Sequence, residues 1–526
     1  MSVFDTMTVN RYLIQRLIDA GIEHVFGVPG DYALDFVNNL VASPLKWIGN
    51  CNELNAGYAA DGYARVRGLG AVSVTYGVGA FSMLNAVTGA YSEQVPLIVI
   101  SGAPHSARRQ ANALVHHLTK DYMLQFDIFS RVTADSAMLT NPQTAPDIID
   151  RILKSCINKK QPVYLEIPLD IGKMPCRNPE PIVFTEEKSS DPDILKECIE
   201  EAVEMLNSAK NPVILTGVEL LRFGLSKQAL RLVEQLELPF AATLSSKSAL
   251  PELHPQFIGL YQGSMSKDIV IEQVENSDCL ISLGVWLTDF DTGLFTAYLD
   301  ERSMINANND GVKIKRHSYS GITLSDFINK LAESAKPRNY LLSHPAQRFE
   351  QMKKFEPDAE ALLTPKRFYE RINQFLDDNM IILSEPGDSI AASSEMHIEE
   401  ADNYIAQAYY LSIGYCTPAS LGVAVAAPDK RVVVLTGDGS FQMTAQEVST
   451  HIRQKCNTIF ILINNEGYLI ERVIFDDGYY NDIQNWKYSQ LPGVFGENCL
   501  GFEVRTEGEF EAALESAAKE KDKLVF

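Results

Sequence analysis

Two short segments late in the chain carry residue types suited to a hard cation: Gly437-Asp438-Gly439 and Asn464-Asn465-Glu466-Gly467. Magnesium takes about six oxygen ligands, usually one or two carboxylates with phosphate oxygens and water. Asp438, the Asn465 amide oxygen and the Gly467 carbonyl can supply the protein's share. Read alone, Gly-Asp-Gly is as simply a tight turn with an aspartate cap. The pairing changes that reading, because each segment closes an apolar run, Arg431 to Thr436 and Thr458 to Ile463, of the kind that forms a buried parallel strand. Both segments then emerge at one carboxyl edge of a sheet, where open α/β sheets bind ligands. The glycines make the turn into a helix from Gln442 to Arg453. An aspartate would repel a diphosphate unless a metal joined them, so a magnesium diphosphate is the implied ligand.

Four other segments place ionisable groups at the ends of elements. Glu53 opens a helix rich in small residues (Ala56, Gly57, Ala59, Ala60) after a strand at Leu45 to Ile48; alone, it need do no more than favour the helix dipole. Asp31 ends the turn Gly27-Val28-Pro29-Gly30-Asp31, where it can cap a helix from Tyr32 to Leu40. Adjacent imidazoles on one helix project apart, so His116 and His117 do not read as a metal-ligand pair from one helix face. Glu471 follows the magnesium segment by one turn, beside Arg472, and that position favours a role in the site over a surface charge.

The elements that must hold these groups set the fold class. At 526 residues the chain divides into three units of about 150 to 200 residues. Apolar runs alternate with helical stretches from Val25 to Ile171, with strands at Gly70 to Thr75 and Leu97 to Ile100. A Pro-rich, charged passage from Cys176 to Asp193 reads as a solvated linker. A middle unit with strands at Pro212 to Leu215 and Cys279 to Leu283 lacks a GxGxxG fingerprint and receives no nucleotide. A second polar stretch, Ser334 to Pro357, leads to strands at Met380 to Leu383, Val432 to Leu435 and Ile459 to Ile463. The expectation is an α/β chain of three doubly wound parallel-sheet domains, at 1–180, 190–340 and 360–526.

The net charge of -22 argues against nucleic acid as a partner. The stretch Met1 to Gln15 shows no signal peptide or membrane span, so a cytoplasmic protein is expected. Eight scattered cysteines without a CxxC read as reduced structural thiols.

Taken together, the segments GVPGDY (27–32), CNELNAGYAADGYAR (51–65), SGAP (101–104), HH (116–117), GDGSFQMTAQE (437–447) and INNEGYLIE (463–471) resemble the thiamine diphosphate-dependent 2-keto acid decarboxylases that act on pyruvate, indolepyruvate and branched-chain keto acids. The resemblance spans essentially the whole chain. It makes the first domain pyrimidine-binding, the middle one Rossmann-like and the last diphosphate-binding, with thiamine diphosphate and Mg2+ as cofactors. It implies that Glu53 bonds the pyrimidine ring and promotes the imino form that generates the thiazolium ylide. Ile413 would force the bent cofactor shape, so that proximity replaces an external base. Asp31, His116, His117 and Glu471 would handle protons. Thr75, Leu411, Gly437, Asp438, Gly439, Ser440, Asn465, Gly467 and Tyr468 complete the expected cofactor contacts, with Asp438, Asn465 and Gly467 on the metal. Phe290, Ile390, Ala391, Ile470 and Ile474 would line the substrate pocket, with Trp286 at its border. A poorly solvating pocket favours loss of the carboxylate charge. The family places each cofactor between two subunits, which implies a homodimer or homotetramer.

Three departures from the family pattern stand out. Leu411 and Tyr410 replace a glycine and a tryptophan, and a leucine is expected to keep its backbone out of φ > 0. Ile390 and Ala391 stand where relatives specialised for pyruvate place large aromatics, which suggests larger substrates: branched-chain, aromatic or indolic 2-keto acids. The chain ends at Lys523 to Phe526 in a strand-like run, where relatives continue into a terminal helix. Two alternatives remain beside non-oxidative decarboxylation: a carboligase or lyase of the benzaldehyde lyase or acetolactate synthase type, and a non-catalytic cofactor-binding relative.

Overall fold

A computed structural model describes residues 6–186, 188–338, 354–393, 396–475 and 478–526. Residues 1–5, Glu187 of the first linker and 339–353 of the second polar stretch lie outside the described residues. Three separate sheets form, each centred on short, mostly buried apolar strands that pair in parallel, with more exposed strands toward the edges.

The first sheet runs in the order Lys46–Gly49, His24–Gly27, Gly70–Val74, Leu97–Ala103, Val163–Pro168, Asp135–Met138, all parallel. The second has seven strands. Parallel pairing from Met304–Asn308 through Cys279–Leu283, Pro212–Thr216 and Phe240–Thr243 to Phe257–Tyr261 is extended at one edge by the antiparallel strands Gly311–Ile314 and His317–Ser320. The third runs Tyr404–Ala406, Met380–Ser384, Arg431–Gly437, Ile459–Ile463, Leu524–Val525, Cys499–Leu500, again parallel. Among the described residues, no helix is long and apolar enough to cross a membrane.

The first and third sheets share one hydrophobic core, joined by the helices Glu53–Arg67 and Cys416–Ala426. Small residues permit that crossing. A Cβ at Gly62 would lie 2.1 Å from the Ala419 carbonyl oxygen, and one at Gly422 would lie 1.8 Å from that of Ala59. Neither position can carry a side chain without moving a backbone. The small residues after Glu53 therefore set how closely its helix approaches the third sheet.

Several elements depart from their expected form. The Cys176 to Asp193 linker is partly packed: Phe184 is buried in the shared core and Ser190 bonds Asp326. The helix after the first glycine pair starts at Asp438, not Gln442, with Gly437 as its extended N-cap, and a 3-10 turn at Ala445–Glu447 divides it from Val448–Arg453. Asp31 caps no helix. The chain turns at residues 31–33, and the helix begins at Leu34 behind Ala33 without a side-chain cap.

Candidate active site

The first group gathers at the carboxyl edge of the first sheet. Glu53 is the first residue of its helix, behind Asn52, whose side chain accepts from the Asn55 amide at 2.8 Å. Its carboxylate stands beside Gly79, where a Cβ would come within 3.1 Å of both Glu53 Oε1 and Thr75 Cγ2. Thr75 donates to Asp31 Oδ1 at 3.2 Å, and Asp31 Oδ2 contacts Nε2 of His116. Burial pushes the Asp31 carboxyl up, but hydrogen bonds from His116, the Tyr32 amide and Thr75 outweigh it and leave the group below its usual value. The His116 ring stacks on Tyr32 at 4.8 Å between centroids.

The histidine pair does not lie on a helix. It sits in a turn, with His117 at φ +67°, and this left-handed residue brings the two rings to 4.8 Å instead of letting them diverge. Gly77 makes room: a Cβ there would lie 2.2 Å from the His117 carbonyl oxygen.

The second group gathers at the carboxyl edge of the third sheet. The strands Arg431–Gly437 and Ile459–Ile463 pair with Gly437 opposite Ile463, so Asp438 and Asn465 leave the edge together. Asp438 is buried, and its carboxylate accepts from the Gly439 amide at 2.9 Å and the Gly467 amide at 3.0 Å. Burial outweighs these donors and raises its pKa above the usual value. Asn465 donates to Asp388 at 3.1 Å, which fixes its amide and leaves a buried Oδ1 with no hydrogen-bond partner. Gly439 packs against the Tyr468 ring, where a Cβ would be 2.7 Å away, while the space above Gly437 is open to 4 Å. Ser440 is buried in the first helical turn.

This donor set fits a cation bridged to an anion. It offers a buried carboxylate without a positive partner among its hydrogen bonds, an orphaned amide oxygen at the same sheet edge, and a glycine-lined approach.

Glu471 lies on the short helix Leu469–Ile474, none of whose residues is buried, and Glu471 and Ile474 are exposed. Ile470 and Ile413 are half-buried. Ile390 packs fully buried with Leu244 and Ala408, against Phe290 and Leu411, whereas Ala391 is exposed. Trp286 donates to Glu219 and meets Tyr409 edge to face.

Three stretches match thiamine pyrophosphate enzyme domains: residues 7–128 the N-terminal TPP binding domain, 199–332 the central domain, and 387–526 the C-terminal TPP binding domain. Similar chains include "Pyruvate decarboxylase 4" of Arabidopsis thaliana, 37% identical over 99% of this chain and 88% of the relative. The "Alpha-keto-acid decarboxylase" of Mycobacterium avium (strain 104) is 34% identical over 98% and 92%, and the "Pyruvate decarboxylase" of Kluyveromyces lactis 33% over 96% and 92%. The chain belongs to the thiamine diphosphate-dependent 2-keto acid decarboxylases. Its reaction is that of a carboxy-lyase, on a small 2-keto acid, with thiamine diphosphate as cofactor.

The decarboxylase holds the loop that carries Leu411 and Ile413 with buried acceptors that sequence reasoning did not single out. Glu93, from the first unit, accepts from the Tyr409 and Tyr410 amides at 2.8 and 3.0 Å. Gln407 accepts from Ser412 at 2.7 Å. Glu385, at the end of the strand Met380–Ser384, accepts from Gly414, Tyr415 and Cys416 at 2.8, 3.0 and 2.9 Å. Burial pushes the Glu385 carboxyl up to about 7 against those three amides. Strung between these acceptors, Leu411 adopts φ +55°, which overturns the expectation that a leucine would avoid this region. The backbone keeps the shape a glycine would take, and packing against the buried cluster of Leu244, Ile390 and Ala408 offsets the strain.

Glu447 belongs to the same class of missed residue. Fully buried, it accepts from Asn50 and Asn55 side chains, both at 2.8 Å, and from the Cys51 amide at 3.2 Å, so it grips the loop that presents Glu53. The one sequence signal was its place at the end of the GDGSFQMTAQE segment. Behind the histidines, buried Glu166 accepts from Tyr164, which receives a hydrogen bond from Gln125, which in turn accepts from the Gly77 amide at 2.6 Å. Burial pushes the Glu166 carboxyl up to about 7.

Proposed function

We propose that this decarboxylase converts a branched-chain, aromatic or indolic 2-keto acid, in preference to pyruvate, to its aldehyde and CO2. The observation that carries the preference is the segment after Glu385. Ile390 turns into the packing against Leu244, Ala408 and Phe290, so the exposed residue at this edge is Ala391, with a single methyl group. A small residue there leaves room for a bulky keto-acid side chain. One relative is named for keto acids in general, and the others for pyruvate.

In this reading Asp438, Asn465 Oδ1 and the Gly467 carbonyl hold Mg2+, and the backbone of Gly437, Gly439 and Ser440, with Tyr468, receives the diphosphate. Leu411, through its carbonyl, Thr75 and Ile413 would hold the rest of the cofactor. Bound thiamine diphosphate supplies the nucleophilic carbon and the electron sink for the pair released as CO2 departs. Glu53, fixed at the head of its helix, holds a proton at the pyrimidine ring. Asp31 and His116 share a proton at their Oδ2 to Nε2 contact and, with His117 and Glu471, return one to the product carbon. Ile470 and Ile474 exclude water.

The site is completed by a second copy. Val473, Ile474 and Phe475 are exposed around Glu471, an apolar surface suited to cover by another chain, as a homodimer or homotetramer. The domains are drawn at 1–180, 190–340 and 360–526, each span carrying one sheet. Eight free thiols suit a reducing, cytoplasmic location.

The test is CO2 release from pyruvate, 3-methyl-2-oxobutanoate, phenylpyruvate and indolepyruvate by cofactor-loaded enzyme. A higher kcat/KM for one of the larger acids is expected. The highest value with pyruvate contradicts the preference.

A further inference from the structure

The histidine pair that would diverge on a helix is brought together by a turn, and this creates a donor set unlike the magnesium one. One ligand atom each from Asp31, His116 and His117 lies within 4.8 Å of the other two. Zinc bonds of about 2.0 to 2.2 Å place tetrahedral ligands roughly 3.5 Å apart, so small side-chain rotations close the set around an ion. Two of the three donors are held from behind, and the third has a ring nitrogen left over. Thr75 holds Asp31 Oδ1, the Tyr32 hydroxyl lies 3.5 Å from His116 Nδ1 and leaves Nε2 toward Asp31, and His117 Nδ1 is buried without a partner. Such outer contacts fix the ring orientation of metal-binding histidines. The Asp31 and His116 side chains are 49% and 60% exposed, so an ion can enter and keep a position for water.

Two imidazoles and one carboxylate suit Zn2+, Co2+, Ni2+ or Cu2+, whereas Mg2+ prefers the all-oxygen set at Asp438. We propose that Asp31, His116 and His117 form a second, softer metal site that takes Zn2+ or a related first-row transition ion and, when filled, arrests turnover reversibly. Binding stands on the geometry alone. The arrest rests on the decarboxylase reading, because the ion occupies the lone pairs of the groups assigned to proton handling.

The test uses Co2+ as a spectroscopic probe, titrated into holoenzyme held in thiamine diphosphate and excess Mg2+. The expected result is the intense visible absorption of a four- or five-coordinate ion with nitrogen ligands, saturating at one equivalent per chain and bleached by Zn2+. His116→Asn and His117→Gln should each weaken binding at least tenfold while the cofactor stays bound. In parallel, Zn2+ should inhibit decarboxylation, and a zinc-selective chelator, but not a tenfold rise in Mg2+, should restore it. Only the weak absorption of six-coordinate Co2+, or an unchanged spectrum in both variants, overturns the site. Relief of inhibition by Mg2+ overturns the arrest, since it assigns the effect to the Asp438 set. A protein without decarboxylase activity still reports on the site through the cobalt spectrum.

Discussion

Removing the Glu385 carboxylate should loosen the cofactor loop by an amount the hydrogen bonds define. Its two oxygens take three buried amides, Gly414 and Tyr415 on one and Cys416 on the other, at 2.8 to 3.0 Å. Each buried donor left without an acceptor costs about 1 to 3 kcal/mol. Glu385→Gln keeps one oxygen for two amides and turns its NH2 toward the third, so the local cost is about 1 to 3 kcal/mol. Glu385→Ala strands all three and costs roughly 3 to 9 kcal/mol, comparable to a whole domain's stability. Hydrogen exchange read by mass spectrometry over peptides spanning 408–418 measures this locally, without assuming two-state unfolding of a three-sheet chain. The Gln variant should exchange about 5 to 150 times faster at residues 414–416, with the strand Ile459–Ile463 unchanged. Turnover should fall as well, because Ile413 sits next to the released amides. Unaltered exchange at 414–416 in both variants would refute the reasoning.

Three further perturbations follow from the same geometry. Glu166 has its pKa raised from 4.5 to about 7 by burial, so its contribution to stability is fully present below about pH 4.5 and lost as pH rises through 7, a change of about 3 kcal/mol. Glu166→Gln should therefore gain stability relative to the parent as pH rises from 5 to 8 in thermal unfolding, and a pH-independent difference contradicts the burial argument. Asp438→Ala should abolish Mg2+-dependent retention of thiamine diphosphate through gel filtration, and a tightly bound cofactor in that variant removes the metal assignment. Leu411→Gly should change stability by less than about 1 kcal/mol, since release of about 1 to 2 kcal/mol of left-handed strain offsets the lost packing. Leu411→Val keeps bulk but stiffens the side chain, and should lower the unfolding midpoint further than the glycine does.

The strands were legible because parallel strands buried on both faces read as continuous apolar runs, and Arg431–Gly437 and Ile459–Ile463 are such runs. Their pairing brought Asp438 and Asn465 to one edge without further information. What failed was local geometry set by distant partners. Leu411 takes φ +55° because Glu93, more than 300 positions earlier, holds the two amides before it. The helix at Asp438 begins at a glycine pair that propensity alone would leave as a turn, and it breaks at 445–447, next to the contacts of Glu447 with Asn50 and Asn55 almost 400 residues away. The histidine pair defeats a helix-based reading for a similar reason, since Gly77 must approach the His117 carbonyl for the turn to form. Period and composition report which face of an element is buried. They carry no sign of a side chain that reaches another sheet.

The central claim joins the two sheet edges: Glu53 on the first and Asp438 with Asn465 on the third serve one thiamine diphosphate reaction. It is tested most directly by CO2 release from 3-methyl-2-oxobutanoate, for the parent and Glu53→Gln, with thiamine diphosphate and Mg2+ added together, singly or not at all. Turnover should require both additions and fall about 10²- to 10⁴-fold in the variant, the loss typical of a positioned acid or base, while the cofactor stays bound. Undiminished turnover in Glu53→Gln, or turnover without cofactor and metal, would contradict the account.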